Sequence, residues 1–202
     1  MDAHVALCIP STGTWNAKTG HDIVMLVARS LPHIPLMLIN HQNSSIGDGR
    51  NHMVLLALKQ NASHVMFIDA DMVFPEDGLL RLIAHDKDIV GATYNRRVRP
   101  YSTLGEWEPG PPKGLLRASK VPTGFLLIKT SVFGKMQLPW FFEGHGSEYR
   151  SEGNPTGHVS DDYVFCTRAV NDGFQPYIDF DLSFEIGHIG EQIVVMERPE
   201  GI

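Results

Sequence analysis

His64-Val-Met-Phe-Ile-Asp-Ala-Asp-Met-Val-Phe-Pro75 is the stretch whose reading decides the fold. Its apolar run reads as a buried strand, and it ends in two carboxylates, Asp69 and Asp71, two residues apart. In an extended chain, positions i and i+2 project to the same side, so both would face one site. Two carboxylates held together repel, and one tends to stay protonated unless a cation bridges them. Oxygen ligands on a rigid strand end suit Mg²⁺ or Mn²⁺. The same two residues would also serve as caps of the turn into Pro75-Glu76-Asp77. The rest of the chain has to decide.

At 202 residues, the chain fits one domain, 1–202, at about 100–200 residues per domain. Its 43% apolar share is ordinary for a globular core. The longest apolar runs are strand-length, so no membrane span is predicted. The start, Met1-Asp-Ala-His4, lacks the basic and apolar regions of a signal peptide. Cys8 and Cys166 sit in apolar settings and are predicted to be buried thiols. That favours a reducing, cytoplasmic location over a disulfide framework. The net charge of −6 argues against a general polyanion binder.

Val5-Ala-Leu-Cys-Ile9 reads as a first strand, broken by Pro10-Ser-Thr-Gly13. Such a loop at a strand end offers backbone N–H groups to a nucleotide, yet it matches neither G-x-G-x-x-G nor a P-loop. A helix is predicted over 19–30, a second strand at Leu36-Met-Leu-Ile39, and a helix over 49–61 that opens with Arg50 and Asn51. An Arg in a first helical turn opposes the dipole, which points to a phosphate or acidic neighbour for Arg50. A helix over 76–85 and a strand over 88–94 follow. The repeated strand–helix alternation predicts an α/β fold with a mostly parallel central sheet flanked by helices. Ligands in such sheets sit at the carboxyl ends of the strands.

Residues 95–120 are rich in Pro and Gly and carry Arg96, Arg97, Arg99, Lys113, Arg117 and Lys120 against Glu106 and Glu108. They read as a long basic flap with aromatics, able to receive a diphosphate or an anionic acceptor. Val121-Pro-Thr-Gly-Phe-Leu-Leu-Ile-Lys129 reads as a strand, with Ser131 capping a short helix over 132–136. Residues 140–150 read as a second flexible, aromatic stretch. Ser160-Asp161-Asp162 opens a helix over 163–172, which Gly173 ends. Tyr177-Ile-Asp-Phe180 reads as a strand, and His188, between glycines, is a candidate metal ligand.

Taken in order, these pieces resemble a GT-A type glycosyltransferase, closest to the family-2-like enzymes, over about residues 4–190. They are Pro10-Ser-Thr, Arg50-Asn51, Asp69-Ala-Asp71, Thr123-Gly-Phe-Leu-Leu-Ile128, Ser160-Asp-Asp162, Phe165-Cys-x-Arg168, Gly173-Phe and Gly187-His-Ile-Gly190. The resemblance implies a Rossmann-like, nucleotide-diphospho-sugar transferase fold and a Mn²⁺ or Mg²⁺ cofactor. Asp69 and Asp71 would match the family's Asp-x-Asp motif, with His188 as third metal ligand. Pro10, Ser11, Thr12, Arg50, Asn51, Ala70, Thr123 and Gly124, together with Asp69, would bind the donor, a nucleotide-sugar of the UDP type. Asp162 would match the catalytic base, with Asp161 in place of the usual Glu beside it. The processive synthases' Gln-x-x-Arg-Trp segment and membrane helices are absent, which implies a single transfer to a soluble acceptor.

A base opposite the leaving diphosphate would invert the anomeric centre. Similar small enzymes occur in bacteriophages, some acting on hydroxymethylated pyrimidines in DNA. Such an acceptor base would have to be flipped out of the duplex. A phage origin would place the protein in the bacterial host cytoplasm, and bacterial glycans or proteins are the other acceptor classes. Two rivals share parts of the pattern. Asp69-Ala-Asp71-Met-Val73 also fits the D-x-D-x-[TV] nucleophile motif of haloacid-dehalogenase-like phosphatases, although strands and helices precede it here. A nucleotidyltransferase would share the metal and the nucleotide.

Overall fold

The computed structural model describes residues 3–42, 45–97, 99–146, 156–190 and 192–199. The elements in chain order are β1 (Val5–Ser11), α1 (Ala17–Ser30), β2 (Leu36–Gln42), α2 (Ile46–Lys59), β3 (His64–Ile68), β4 (Met72–Val73) and α3 (Gly78–Ala84). Then come β5 (Ile89–Gly91), β6 (Glu106–Trp107), β7 (Leu115–Lys120), β8 (Phe125–Lys129) and α4 (Thr130–Lys135). The chain ends with β9 (Gly144–His145), β10 (His158–Val159), α5 (Asp161–Asn171), β11 (Pro176–Asp179), α6 (Phe180–Ser183), β12 (Gly187–Ile189) and β13 (Ile193–Val195).

Eight strands form the central sheet in the order β2-β1-β3-β8-β5-β11-β7-β6. β1 pairs in parallel with β2 and β3, and β5 in parallel with β11. β8 runs antiparallel to both β3 and β5, and β7 antiparallel to β11 and β6. The sheet is therefore mixed, where a mostly parallel one was predicted. Parallel neighbours need a crossover of a dozen or more residues, usually a helix. The chain between β5 and β8 carries the β6–β7 hairpin instead, and β8 enters the sheet reversed.

Strand alternation splits the core into two layers. Val65 and Phe67 of β3 and Leu126 and Ile128 of β8 face one layer, with Met53 and Val54 of α2, Phe133 of α4 and Phe165 of α5. Met66 and Ile68, with Phe125 and Leu127, face the other, with Ile23 and Leu26 of α1 and Leu79 and Leu82 of α3. Burial on both faces explains why these strands read as unbroken apolar runs. Cys8 and Cys166 are buried thiols, as predicted. Burial pushes the Cys166 thiol up to about 12. Among the described residues, no helix is long and apolar enough to cross a membrane.

Several local expectations change. The predicted basic flap contains β6 and β7, so much of it is sheet. Three of its six basic side chains are paired: Lys120 with Glu106 at 2.6 Å, Arg117 with Glu108 at 3.2 Å, and Arg97 with Asp71. Trp107 is packed against Phe180. Ser131 does not cap α4; the N-cap is Lys129, with no side-chain cap. Trp140 and Phe141 of the predicted flexible stretch are core residues, while 147–150 lie outside the described residues. Gly173 follows α5 at φ +87°, the left-handed position expected of it.

Candidate functional site

β3 ends at Ile68, and Asp69, Ala70 and Asp71 turn the chain into β4. The two carboxylates thus reach the site from a turn and not from alternate positions of a strand, as their spacing had suggested. Three distant segments hold that turn. The Asp69 N–H donates to Gly124 O at 3.1 Å, the Asn16 N–H to Ala70 O at 2.9 Å, and the Ile189 N–H to Asp71 O at 2.8 Å. Asn16 is also the N-cap of α1, so that helix's N-terminus is tied to the turn.

The last contact belongs to a small sheet, β13-β12-β4. His188 of β12 sits opposite Met72 of β4, and its Nε2 lies 3.4 Å from Asp71 Oδ2. The same oxygen accepts from Arg97 Nη1. Burial works to raise the Asp71 carboxyl, but His188 and Arg97 outweigh it and hold the group below its ordinary value. His188 Nδ1 faces Asn95 O at 3.3 Å, and its ring meets Tyr94 edge-on, centroids 5.4 Å apart. An imidazole whose second nitrogen meets a carbonyl has its orientation fixed, as metal-binding histidines usually do.

Asp69 turns the other way. Its Oδ1 accepts from Arg50 Nη2 at 3.1 Å, while Arg50 Nη1 reaches both oxygens of Asp161, at 2.8 and 2.7 Å. Burial disfavours the Arg50 charge, but the carboxylates of Asp69, Asp161 and Asp162 more than compensate and hold its pKa above the ordinary value. Arg50 is only 4% exposed, so it is an internal strut and does not present a free cation to a donor. The helix dipole argument also falls away, because α2 starts at Ile46 with Ser45 as N-cap and Arg50 lies beyond its first turn. Asn51 is likewise structural. Its Oδ1 accepts from the N–H groups of Trp140 and Phe141, and its Nδ2 donates to Phe141 O.

Asp162, beside Asp161 at the start of α5, has no direct bond to Arg50. Its Oδ1 accepts from Ser160 Oγ and from the Tyr163 N–H. Burial raises its carboxyl above the ordinary value despite the opposing pull of Arg50. Thr123 is buried. The Gly124 N–H donates to Tyr94 Oη at 2.9 Å, and burial pushes that phenol well above its ordinary pKa, so it stays protonated.

A cleft of about 750 Å³ opens beside Asp69, Ala70 and Asp71. Pro10, Ser11 and Thr12 line it from the end of β1, and His188 from β12. Arg50, Asn51, Thr123, Gly124, Asp161 and Asp162 are not among its lining residues. Trp15, Asn16, His41 and Arg97 are. Arg97 belongs to the basic flap read as able to receive a diphosphate, while Trp15, Asn16 and His41 were not singled out from sequence. The rule that places ligands beyond the carboxyl ends of strands covers Trp15 and His41, which follow the predicted apolar runs of β1 and β2.

Asp69, Asp71 and His188 are a chemically sound donor set for Mn²⁺ or Mg²⁺. Asp71 and His188 already meet, and the cation now balancing Asp71 is the guanidinium of Arg97. Asp69 stays with Arg50, and the three side chains do not gather within 4.8 Å of one another. A metal at this site would therefore take Asp71 and His188 first, with Asp69 next to it.

No family model and no curated protein matches the sequence. Among solved structures, the crystal structure of A197 from STIV is similar, with a TM-score of 0.63 at 13% identity. The match covers 96% of this chain and 94% of that one. The two chains share an α/β fold with a large central sheet over essentially their whole length.

Proposed function

We propose that the protein is a metal-dependent glycosyltransferase of the GT-A type, moving one sugar from a UDP-sugar to an acceptor hydroxyl with inversion. The observation that carries this reading is the meeting of Asp71 and His188. They are far apart in the chain and meet through the β4–β12 pairing, at the edge of a nucleotide-sized cleft. A phosphatase of the haloacid-dehalogenase type gives no role to that histidine, and it needs Asp69 as a free nucleophile, whereas Asp69 is bonded to Arg50.

In this reading Trp15 and the Pro10-Ser11-Thr12 strand end hold the nucleoside, and the N-terminus of α1 faces the diphosphate. Asp71 and His188, with Asp69 next to them, would hold a divalent ion, which would supply Lewis-acid neutralisation of the leaving diphosphate. Arg97 gives up Asp71 and turns to the phosphates, keeping a cation beside the developing charge. Asp162 does not line the cleft, so the acceptor hydroxyl would have to approach from outside that lining for this carboxylate to take its proton. Asp161 balances Arg50, which fixes Asp69.

Three of the six basic side chains in residues 95–120 are paired, which leaves less free positive surface for a DNA acceptor than the sequence alone suggests. A small soluble hydroxyl acceptor fits better. The deciding experiment is a mass-spectrometric screen of nucleotide-sugars against several acceptor classes, with Mn²⁺ and after chelation, beside a generic phosphatase assay. Metal-dependent sugar transfer with an inverted anomeric centre supports the proposal. Hydrolysis of the generic phosphatase substrate without sugar transfer would sink it.

A further inference from the structure

We infer a second divalent-metal site, formed by Glu143, His145 and His158 on the β9–β10 ribbon and suited to Zn²⁺. β9 and β10 are antiparallel, and His145 lies directly opposite His158. A cross-strand pair projects to one side of its ribbon, and the two rings stand 4.9 Å apart. Glu143, two residues before His145, is positioned for the same side. Its Oε2 lies 3.4 Å from His145 Nε2 and 3.5 Å from His158 Nε2.

Those separations are what a tetrahedral ion imposes. Zinc bonds to nitrogen and oxygen of about 2.0–2.1 Å give ligand–ligand edges of about 3.3–3.4 Å. All three donor atoms lie within 4.8 Å of one another, so a small shift of one imidazole closes the third edge. Two imidazoles and one carboxylate select a borderline metal over the hard Mg²⁺, whereas the cleft offers two carboxylates and one imidazole. All three side chains are exposed, so an ion there would be reachable from solvent.

Placement gives such an ion a structural task. β10 ends at Val159, and Ser160 is the N-cap of α5, which begins with Asp161 and Asp162. A bond network across β9 and β10 would close the chain between 145 and 158 and fix the approach to that helix, lowering its loop entropy. The inference does not rest on glycosyl transfer, and its test is metal binding alone.

The test uses the full chain, stripped of metal, titrated with Zn²⁺ by calorimetry and with Co²⁺ by visible absorption. Two double variants are compared, His145→Ala with His158→Ala, and Asp71→Ala with His188→Ala. The site predicts one bound Zn²⁺ fewer in the first variant, with loss of the intense bands of tetrahedral Co²⁺. The second variant keeps the ribbon's Zn²⁺ and the tetrahedral Co²⁺ bands. Glu143→Gln should weaken Zn²⁺ by at least about tenfold, and this milder change decides the matter if the double variant misfolds. Unchanged Zn²⁺ stoichiometry and Co²⁺ bands in the ribbon variants, or their loss only in the cleft variant, would overturn the inference.

Discussion

One nitrogen of Arg50, Nη1, binds both carboxylate oxygens of Asp161, at 2.8 and 2.7 Å. The neighbouring Asp162 is left without a direct partner among the basic side chains around it. Adjacent carboxylates at one helix start are thereby given different tasks. Asp161 is held in a buried ion pair, and Asp162 keeps the freedom a base requires. Removing one partner of a buried pair costs about 3–5 kcal/mol, because the other charge stays behind uncompensated. Asp161→Asn should therefore lower the unfolding free energy by an amount of that order in denaturant titration. Asp162→Asn should show no such loss while abolishing turnover and sparing donor affinity. Equal destabilisation by both substitutions would contradict this division.

The raised pKa of Asp162 sets the sign of two pH effects. In the proposed role of base it would act only when ionised, so turnover should fall on acidification through a midpoint above the usual carboxylate value of about 4. For stability, a group whose folded pKa is raised contributes fully below its unfolded pKa. That contribution is lost as pH rises through the folded pKa. At neutral pH the buried charge therefore weakens the fold, and Asp162→Asn should melt higher than the parent. The gap should shrink as pH drops below the unfolded value. Melting curves across that range check it; a gap that widens toward acid has the wrong sign.

Arg97 and a metal ion would compete for Asp71 Oδ2. Arg97→Ala should lower the Mn²⁺ concentration needed for half-saturation, because the apo carboxylate loses its internal cation. It should also slow transfer if that arginine turns to the phosphates. Asp71→Ala and His188→Ala should both raise the Mn²⁺ requirement by an order of magnitude or more. Metal titration of binding and rate, run side by side, separates the two effects. Weaker Mn²⁺ binding in Arg97→Ala would count against competition.

The parts of this architecture visible in the sequence were those written in short-range patterns. Apolar runs gave β1, β3 and β8, and the spacing of Ile23, Leu26 and Val27 gave α1. The Asp-x-Asp spacing marked the site, and the place of His188 beside it is geometrically sound. What stayed hidden depended on partners far away in the chain. Arg50 looks like a donor ligand until Asp161 is seen bonded to it. Asn51 looks polar and functional until the Trp140 and Phe141 amides use it. The basic character of 95–120 is reduced once the distant Asp71 is found paired with Arg97. The direction of β8 depends on a missing crossover helix, which no local pattern encodes.

Gly124 leads to the most demanding prediction, because it joins the fold to the site. A Cβ built there would lie 2.2 Å from Tyr94 Oη, 2.8 Å from Tyr94 Cζ and 3.2 Å from Asp69 Oδ2. Tyr94 is buried and cannot swing away, and its ring bears on His188. Gly124→Ala must therefore push Tyr94 toward His188, or push the Asp69 turn outward. Overpacking of this kind costs about 1–3 kcal/mol, and the displaced histidine should weaken metal binding as well. Adding Tyr94→Phe removes the hydroxyl but leaves Cζ too close, so rescue should be partial in both stability and Mn²⁺ affinity. If Gly124→Ala lowers stability while leaving Mn²⁺ affinity untouched, the strain does not reach His188. The metal site would then be decoupled from the Tyr94 contact.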